Sequence, residues 1–268
     1  MKQLLIAGFG DLGQRLSARL TAASNWQVHA LRRSSGPGTG DPIYHRADLT
    51  RPETLSDLPA RFDAIVYQAT PSERSPEAYR SIYIEGLGNL LARTATDQLL
   101  MVSSTAVYGQ DEGEWVDESS ITTPRAFNGE ILFEAERLAL AAGGRVVRFS
   151  GIYGPGRDAL IRRLQSGQAR CSEAPVQWTN RIHADDAAAT LAHLLERPAL
   201  GPVVCASDDR PSPRCEVLDW LADRLGCPPP LRENGSGAGK RVSNALLRAS
   251  GFEFTYPDYR TGYQGLLP

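Results

Sequence analysis

The first twenty-three residues combine a short apolar run, a glycine-rich hexapeptide and an amphipathic stretch, and this combination constrains the fold more than any other feature. Leu4 to Ala7 predicts a buried strand, and leucines at four-residue steps between Leu12 and Ala23 predict a helix. The turn between them is Gly8-Phe9-Gly10-Asp11-Leu12-Gly13, a G-x-G-x-x-G sequence. In this strand–turn–helix context the pattern predicts a dinucleotide-binding domain, with an ordinary glycine-rich turn as the alternative.

Each glycine of the hexapeptide has a separate physical role in that prediction. Gly8 permits the tight turn, Gly10 lets the backbone approach a pyrophosphate, and Gly13 lets the helix pack closely on the strand. The unpaired N–H groups of the first helical turn then face the anion. All six residues of the hexapeptide are therefore candidate cofactor-binding residues.

Apolar runs and amphipathic stretches alternate through the rest of the first half of the chain. Further strands are predicted at 28–31, 62–67, 99–102 and 145–149, and further helices at 76–95 and 128–142. Strands that alternate with helices indicate βαβ units and a parallel sheet covered on both faces. The sequence predicts an α/β fold with a doubly wound, Rossmann-type core over residues 1–153.

The second half of the chain is less regular. From Gly154 onward proline, glycine and arginine interrupt the pattern, and two helices are predicted, at 185–196 and 212–225. We expect residues 154–268 to form mainly a smaller, irregular substrate-binding lobe, with residues 183–206 returning to the core.

The end of the second predicted strand indicates which dinucleotide is bound. An NAD site usually has an acidic residue here to accept a hydrogen bond from the ribose 2′-hydroxyl, whereas this chain has Arg32 and Arg33 followed by Ser34 and Ser35. Arginine forms charge-assisted bonds to a 2′-phosphate, so NADP is favoured over NAD; a solvated basic turn is the alternative. Asp48, just after a short strand segment that lies between the strands at 28–31 and 62–67, is a candidate contact for the adenine amino group.

Charge and cysteine content exclude several classes of protein. The chain has 29 Lys+Arg against 31 Asp+Glu, which gives no basic surface overall for nucleic acid. No apolar stretch is long enough to span a membrane. The four cysteines have wide, irregular spacing that matches no metal site or disulfide scaffold. We expect free thiols, no metal and a cytoplasmic location.

Four sequence blocks resemble one known family, in order along the chain. They are the glycine-rich hexapeptide, Val102 to Gly109 (V-S-S-T-A-V-Y-G), Arg148 to Gly156 (R-F-S-G-I-Y-G-P-G) and Arg181 to Asp186 (R-I-H-A-D-D). Together they resemble the extended short-chain dehydrogenase/reductase superfamily, which includes the NAD-dependent epimerases and dehydratases of nucleotide sugars. The resemblance implies a Rossmann core, a nicotinamide cofactor and a C-terminal lobe that closes over the substrate.

The catalytic signature of that family is missing. The family carries Tyr-x-x-x-Lys on the helix after the V-Y-G segment, and no tyrosine precedes a lysine by four residues anywhere in this chain. The two alignments that this region allows place different residues at the two positions: Phe127 and Ile131, or Asn128 and Leu132. None of these side chains can transfer the proton or hold the nicotinamide ribose as tyrosine and lysine do. The resemblance is therefore to an atypical branch of the superfamily.

The resemblance also places the remaining site residues. It implies cofactor contacts by Gln68, Ala69 and Thr70, directly after the strand at 62–67, and by Ser103. Ser104 occupies the catalytic Ser/Thr position of the family, and Tyr153 is the second candidate for proton transfer. Thr105, Tyr108 and His183 are further candidates, although Tyr108 and Tyr153 are better explained as packing or substrate-lining aromatics and His183 by a structural hydrogen bond.

Two functions remain open at this point. The first is an atypical NAD(P)-binding oxidoreductase or epimerase-like enzyme that acts on a small polar or sugar-nucleotide-like substrate. The second is a non-catalytic NADP-binding redox sensor, which the missing catalytic pair favours. The resemblance also implies a homodimer through the helices at 76–95 and 128–142, with Leu90, Leu91, Ile131 and Leu138 serving either that interface or the core.

Overall fold

Strands and helices alternate as the sequence predicts in the computed structural model, which describes residues 1–23, 26–34, 42–235 and 237–267. The strands are β1 (Lys2–Ala7), β2 (Trp26–Arg32), β3 (Ile43–Arg46), β4 (Arg61–Tyr67), β5 (Ala95–Ser104), β6 (Glu112–Val116), β7 (Arg145–Phe149), β8 (Gly151–Tyr153), β9 (Arg170–Cys171), β10 (Trp178–Thr179), β11 (Arg181–His183), β12 (Val203–Ala206), β13 (Ser212–Pro213), β14 (Leu231–Arg232) and β15 (Gly239–Val242).

The helices are α1 (Asp11–Ala23), α2 (Pro76–Arg80), α3 (Leu87–Arg93), α4 (Phe127–Ala141), α5 (Ala159–Gln165), α6 (Ala184–Glu196), α7 (Arg214–Leu225), α8 (Ala245–Ala249) and α9 (Tyr259–Gln264). A π-helical segment, Ser81–Gly86, joins α2 to α3, so the helix predicted at 76–95 is one continuous helical run with a local change of winding. Short 3₁₀ turns occur at Pro52–Leu55 and Thr105–Val107.

Seven of the described strands form the main sheet, in the order β12-β7-β5-β4-β1-β2-β3. β1 pairs in parallel with both β2 and β4, and β2–β3 and β4–β5 are also parallel pairs. The central strand is buried on both faces, since Leu4, Leu5, Ile6 and Ala7 are all 0% exposed. This confirms the predicted α/β fold with a parallel sheet. The strand order reverses beside β1, where open α/β sheets bind their ligands.

The chain divides into two compact units. Unit 1 comprises residues 1–107, 122–148 and 188–204, and unit 2 comprises residues 108–121, 149–187 and 205–268. Residues 188–204 thus belong to unit 1, as part of the segment that we expected to return to the core. Residues 108–121 and 149–153 belong to unit 2, whereas the sequence placed them in the core. Residues 112–116 pack there because β6 pairs with β15.

The cysteines differ from the sequence-based expectation of four free thiols. Cys171 on β9 and Cys215 in the first turn of α7 form a disulfide, with their Cα atoms 5.3 Å apart, while Cys205 and Cys227 are free. The expectation of four free thiols was wrong because the two half-cystines lie 44 residues apart and meet only through the packing of β9 against α7. Their spacing in the sequence carries no sign of that contact.

Within the described part of the chain, no helix is both long enough and apolar enough to cross a bilayer.

Candidate functional site

The glycine-rich turn between β1 and α1 packs directly against the segment that follows β4. The backbone N–H groups of Gly8 and Phe9 both donate to the carbonyl of Leu31, at 3.1 and 2.9 Å. Gly8 has φ +95°, and a Cβ atom there would lie 2.4 Å from the backbone of Ala69. Both the conformation and the close approach therefore require glycine at position 8.

The other two glycines of the hexapeptide have opposite surroundings. A Cβ atom at Gly13 would lie 2.5 Å from Nε2 of Gln68 and 3.1 Å from Cγ2 of Ile6, so this glycine lets α1 pack closely on β1. A Cβ atom at Gly10 would meet nothing within 4 Å. The packing of the described residues therefore requires glycine at position 13 but not at position 10, where the backbone faces open space.

Two further features of the β1–α1 turn fit a bound dinucleotide, one its pyrophosphate and the other a hydrogen-bond donor. The helix α1 begins at Asp11, so the N–H groups of its first turn lack intrahelical acceptors. Gln68, which is 8% exposed, donates from Nε2 to the carbonyl of Gly8, and its Oε1 is buried without a hydrogen-bond partner in the described structure. A buried amide oxygen without a partner is unfavourable, and a ligand with a hydroxyl or amide donor would satisfy it. The residues present therefore fit a dinucleotide.

Arg32 lies at the end of β2, the position where the ribose 2′-substituent is recognised in this kind of fold. Its Nε donates to Oγ of Ser34 at 2.8 Å, and Arg33 is exposed beside it. Ser35, which we named as a further hydroxyl donor, lies outside the described residues. The two guanidinium groups make the surface at the end of β2 basic, as the NADP prediction requires.

Asp48, the candidate adenine contact, is held in a local turn. Its Oδ1 accepts hydrogen bonds from both the backbone N–H and the hydroxyl of Thr50, at 3.0 and 2.8 Å. The backbone N–H of Asp48 donates to Thr54. The turn fixes the orientation of the carboxylate, and the adenine contact stays a prediction for the second carboxylate oxygen.

The two serines at the carboxyl end of β5 have different environments. The hydroxyl of Ser103 donates to Glu136 at 2.6 Å in the interior of unit 1, and Glu136 also binds Arg148. Ser104 is partly exposed, and its Oγ accepts a hydrogen bond from the backbone N–H of Ala106 at 3.2 Å. Ser103 therefore contributes its backbone rather than its hydroxyl to any ligand, whereas the proton of the Ser104 hydroxyl is not used by that bond.

The start of α4 packs tightly against the turn that follows Ser104. A Cβ atom at Gly129 would lie 2.4 Å from the carbonyl oxygen of Ala106. This contact brings the region of the missing Tyr-x-x-x-Lys pair to the carboxyl end of β5. Both candidates for the lysine position, Ile131 and Leu132, are buried aliphatic side chains at 4% and 5% exposure.

The candidates for the tyrosine position also lack the usual chemistry. Phe127 packs edge-on against Tyr79, with ring centroids 5.4 Å apart, and Tyr79 contacts Tyr83 at 5.5 Å. Burial raises the pKa of Tyr83 to about 12, and Tyr79 adds to the shift. The amide oxygen of Asn128 is buried without a hydrogen-bond partner among the described residues. Sequence reasoning identified the missing pair but not the aromatic cluster of Tyr79, Tyr83 and Phe127.

Tyr153 lies in the interior of unit 2. It is 4% exposed, its ring centroid is 4.4 Å from that of Tyr263, and its hydroxyl donates to the carbonyl of Asp258 at 3.5 Å. Burial, followed by the nearby carboxyl of Asp208, raises the pKa of Tyr153 far above its usual value. A tyrosine with a raised pKa is a weaker acid, so this environment does not favour proton transfer by Tyr153.

The further candidates in unit 2 make structural hydrogen bonds. Nδ1 of His183 accepts from the backbone N–H of Asp185 at 3.2 Å, and its ring packs on Tyr256 at 3.8 Å. The hydroxyl of Tyr108 donates to the carbonyl of Asp117 at 2.7 Å. These contacts match the structural alternative that the sequence left open for both residues.

Unit 2 also contains a cavity of about 310 Å³, in the part of the chain where the resemblance implied the substrate-binding lobe. Arg157, Arg181 and Arg214 line it together with apolar side chains. Arg214 had no distinguishing sequence context, because it is one of many arginines in the chain and meets the other two only through the fold.

Comparison with known proteins gives one family and several close relatives. Residues 4–205 match the NAD dependent epimerase/dehydratase family. A putative NAD-dependent epimerase/dehydratase from Methylobacillus flagellatus is 39% identical, with a TM-score of 0.83 over 99% of this chain and 97% of that chain. A 3-diazoavenalumate denitrifying reductase from a Streptomyces species is 28% identical over 98% of this chain and 99% of its own length.

A third relative is a conserved protein of unknown function from Silicibacter pomeroyi. It is 27% identical, with a TM-score of 0.74 over 99% of this chain and 98% of that chain. Below 25% identity, the fold is shared with structures that contain NAD and with one that contains NADPH. At this level of identity these structures show the shared fold alone.

Proposed function

The chain belongs to the NAD-dependent epimerase/dehydratase family, and we propose that it is an NADP-dependent reductase of atypical type that acts on a small polar substrate. The reductive direction is suggested by the relative that is named a denitrifying reductase and matches this chain end to end. An epimerase of nucleotide sugars is less well supported, because such enzymes depend on the tyrosine and lysine that this chain lacks.

The observation that carries the proposal is the contrast between two parts of unit 1. The turn at Gly10 faces open space beside the first turn of α1, as a dinucleotide site requires. The lysine position of the proton relay is instead filled by Ile131 or Leu132, both buried. The chain thus keeps the cofactor-binding apparatus and lacks the standard proton-transfer apparatus.

In this proposal, different residues of unit 1 would bind different parts of the cofactor. The hexapeptide Gly8–Gly13 would bind the pyrophosphate, Arg32 and Arg33 would bind the 2′-phosphate, and Asp48 would bind the adenine. Gln68, Ala69, Thr70 and the backbone of Ser103 would contact the remainder of the cofactor. A bound reduced nicotinamide supplies a hydride, which requires positioning against the substrate but no general acid. Ser104 is the residue that we propose to hold or donate a proton.

A second function remains a candidate because of the same missing relay. A protein that binds NADP(H) without turnover would retain the loop at Gly10 and have no need of a proton donor. In that case NADPH and NADP would bind with different affinities, and no compound would cause NADPH oxidation. We therefore treat a redox sensor as the alternative to the reductase.

The test is a turnover screen with purified protein. The rate of NADPH consumption is measured in the presence of each candidate substrate. The candidates are small organic acids that carry a reducible carbonyl, conjugated alkene or aryl diazonium group, and nucleotide sugars. Consumption that depends on one small compound and is lost in Gly10→Val supports the reductase. NADPH binding without consumption by any compound supports the sensor, and rapid epimerisation of a nucleotide sugar contradicts the atypical assignment.

We propose further that the protein is a cytoplasmic homodimer, in keeping with the intracellular pools of its cofactor; the Cys171–Cys215 disulfide removes the support that free thiols gave to this location. Leu91 and Leu138, on the helices that the family uses for dimerisation, are half-buried, whereas Leu90 and Ile131 are buried in unit 1 and serve the core. Sedimentation equilibrium of the wild type and of Leu91→Asp/Leu138→Asp tests the dimer. A monomeric wild type would contradict it.

A further inference from the structure

The cavity in unit 2 has a basic side and an apolar side. Its basic side consists of Arg157, Arg181 and Arg214, and none of the described residues that line it is acidic. Its apolar side includes Leu160, Val217 and the two packed rings of Tyr153 and Tyr263. A ligand that matches both sides has a negatively charged group attached to an apolar body.

Arg181 is the buried member of the basic side. It is 6% exposed, and its Nη2 donates to Oγ1 of Thr179. Its guanidinium lies 5.5 Å from the centroid of the Tyr259 ring. Its Nη1 is buried and has no hydrogen-bond partner in the part of the chain that the structure describes. A buried cationic donor without an acceptor is strongly unfavourable unless a ligand supplies one.

The neighbouring carboxyl group of Asp208 does not supply that acceptor. Oδ1 of Asp208 accepts from the backbone N–H of Arg210 at 3.2 Å, and its Oδ2 has no partner among the described residues. Burial raises the pKa of Asp208 to about 8, and this exceeds the opposing effect of Arg181. Burial therefore favours the protonated form of Asp208, which does not balance the charge of Arg181.

Arg157 and Arg214 extend the positive charge towards the outside of the cavity. Both are half-buried, and Nε of Arg214 donates to the carbonyl of Arg170 at 2.8 Å, which fixes its orientation. Burial lowers the pKa of the Arg214 guanidinium, and the nearby Arg163 lowers it further. Several cations held together in this way are stabilised by an anion between them.

The size of the cavity limits the ligand. Small-molecule sites usually span about 300–1,000 Å³, and this cavity of about 310 Å³ lies at the lower end of that range. A small organic acid fits such a volume better than a nucleotide sugar, and its planar carboxylate matches the paired donors of a guanidinium.

We propose that this cavity binds a small carboxylic acid with an aromatic or other apolar body, and that Arg181 donates from Nη1 to its carboxylate. Arg157 and Arg214 hold the same anionic group, while Leu160, Val217, Tyr153 and Tyr263 contact the apolar body. This assignment rests on the proposed reductase function, because it identifies the bound acid as the substrate of that enzyme.

The test is a calorimetric titration of the full-length protein without cofactor. The probes are benzoate, cinnamate, 3-phenylpropionate and octanoate, with cinnamamide as the neutral match for cinnamate and with UDP and inorganic diphosphate as phosphate anions. We expect at least one carboxylate to bind, cinnamamide to bind about 10- to 100-fold more weakly than cinnamate if cinnamate is bound, and the phosphates to compete poorly.

Variants assign the binding to the cavity. Arg181→Met should weaken carboxylate binding by about 10- to 100-fold. Arg157→Gln and Arg214→Gln, which are half-buried, should each weaken it less, and they keep the test valid if Arg181→Met does not fold. Arg248→Gln is the control, because Arg248 is an exposed arginine of unit 2 that does not line the cavity.

Each outcome bears on the proposal. Absence of binding by every carboxylate, equal binding of cinnamate and cinnamamide, or carboxylate binding that is indifferent to all three arginine substitutions would overturn it. So would tighter binding of UDP or diphosphate that is lost on substitution of the three cavity arginines, since phosphate binding at the loop of unit 1 does not depend on them. Carboxylate binding without NADPH consumption would leave the cavity assigned and count against the reductase alone. NADPH consumption that is unaffected by the three substitutions would leave the reductase in place and count against the cavity.

Discussion

Glu136 and Arg148 form an ion pair in the interior of unit 1, with Nη2 of Arg148 2.6 Å from Oε2 of Glu136. The two side chains are 0% and 5% exposed. Nε of Arg148 donates to the same carboxylate, and the hydroxyl of Ser103 donates to its Oε1. These bonds tie α4 to β5 and β7 below the carboxyl end of the sheet, so the pair supports the region of the missing catalytic signature without offering a free acid there.

Loss of one partner of this ion pair should strongly destabilise the protein. Glu136→Ala leaves a buried arginine without a carboxylate, and we expect the free energy of unfolding to fall by about 3–5 kcal/mol. The control is Glu134→Ala on the same helix, whose ion pair with Arg80 is about half-exposed and contributes at most about 1 kcal/mol. Urea unfolding measures both, and equal losses would contradict the structural role of Glu136.

Asp208 should make stability fall as pH rises. Burial raises its pKa from 3.8 in the unfolded chain to about 8 in the folded one. The folded state therefore retains a proton that the unfolded state has released between these two values, so this contribution is complete below pH 3.8 and is lost as pH rises to about 8. Asp208→Asn removes it, whereas Asp223→Asn, at an exposed helical site, serves as the control.

The measurement is urea unfolding at several pH values between about 4 and 8. The difference in stability between wild type and Asp208→Asn should shift in favour of the variant as pH rises. A constant difference across the window would show that Asp208 ionises normally.

The Cys171–Cys215 disulfide predicts a thiol count and a loss of stability on its removal. Unreduced protein in denaturant should titrate two thiols, from Cys205 and Cys227, although the sequence contains four cysteines. Replacing both half-cystines by serine should lower the free energy of unfolding by about 2–4 kcal/mol. Cys227→Ser is the control. A count of four thiols would contradict the disulfide directly.

Ser104 and Tyr153 should affect turnover differently once a substrate is identified. Ser104→Ala should lower kcat by about 10²–10⁴-fold, the usual contribution of a proton-transfer residue, with NADPH affinity unchanged. Tyr153→Phe should leave kcat and KM nearly unchanged, because it keeps the ring that lines the cavity of unit 2 and removes only a hydroxyl that donates to the carbonyl of Asp258. Ser56→Ala, at an exposed serine of unit 1, is the control. An unchanged kcat in Ser104→Ala would mean that the proton comes from elsewhere.

The sheet and the dinucleotide loop were predictable because their signals are local. Four consecutive apolar residues of β1 are fully buried, and the glycine spacing after them follows from the geometry of the turn at Gly8. Element boundaries were less well predicted where pairing extends a strand beyond its apolar run. β5 begins at Ala95 rather than Leu99 because Ala95 pairs with Arg61 of β4.

The features that the sequence did not predict depend on contacts between distant residues. The cavity brings together Arg157, Arg181 and Arg214 from separate segments, and the disulfide joins cysteines 44 residues apart. The buried position of Asp208 depends in the same way on the packing of unit 2. Arg181 opens the R-I-H-A-D-D block, but no periodicity or motif marks Arg214, Asp208 or the pairing of the two cysteines, and only the folded structure distinguishes them from surface residues.

The central claim, that unit 1 is an NADP-binding domain whose loop faces the cofactor at Gly10, is tested most directly by calorimetric titration of NADPH and NADH. We measure both affinities for the wild type, Gly10→Val and Arg32→Gln/Arg33→Gln, with thermal unfolding of each. The account predicts that NADPH binds more tightly than NADH. It also predicts that Arg32→Gln/Arg33→Gln lowers the ratio of NADPH affinity to NADH affinity by about 10- to 100-fold. It also predicts a folded Gly10→Val that no longer binds either nucleotide. Normal NADPH binding by folded Gly10→Val would contradict the claim.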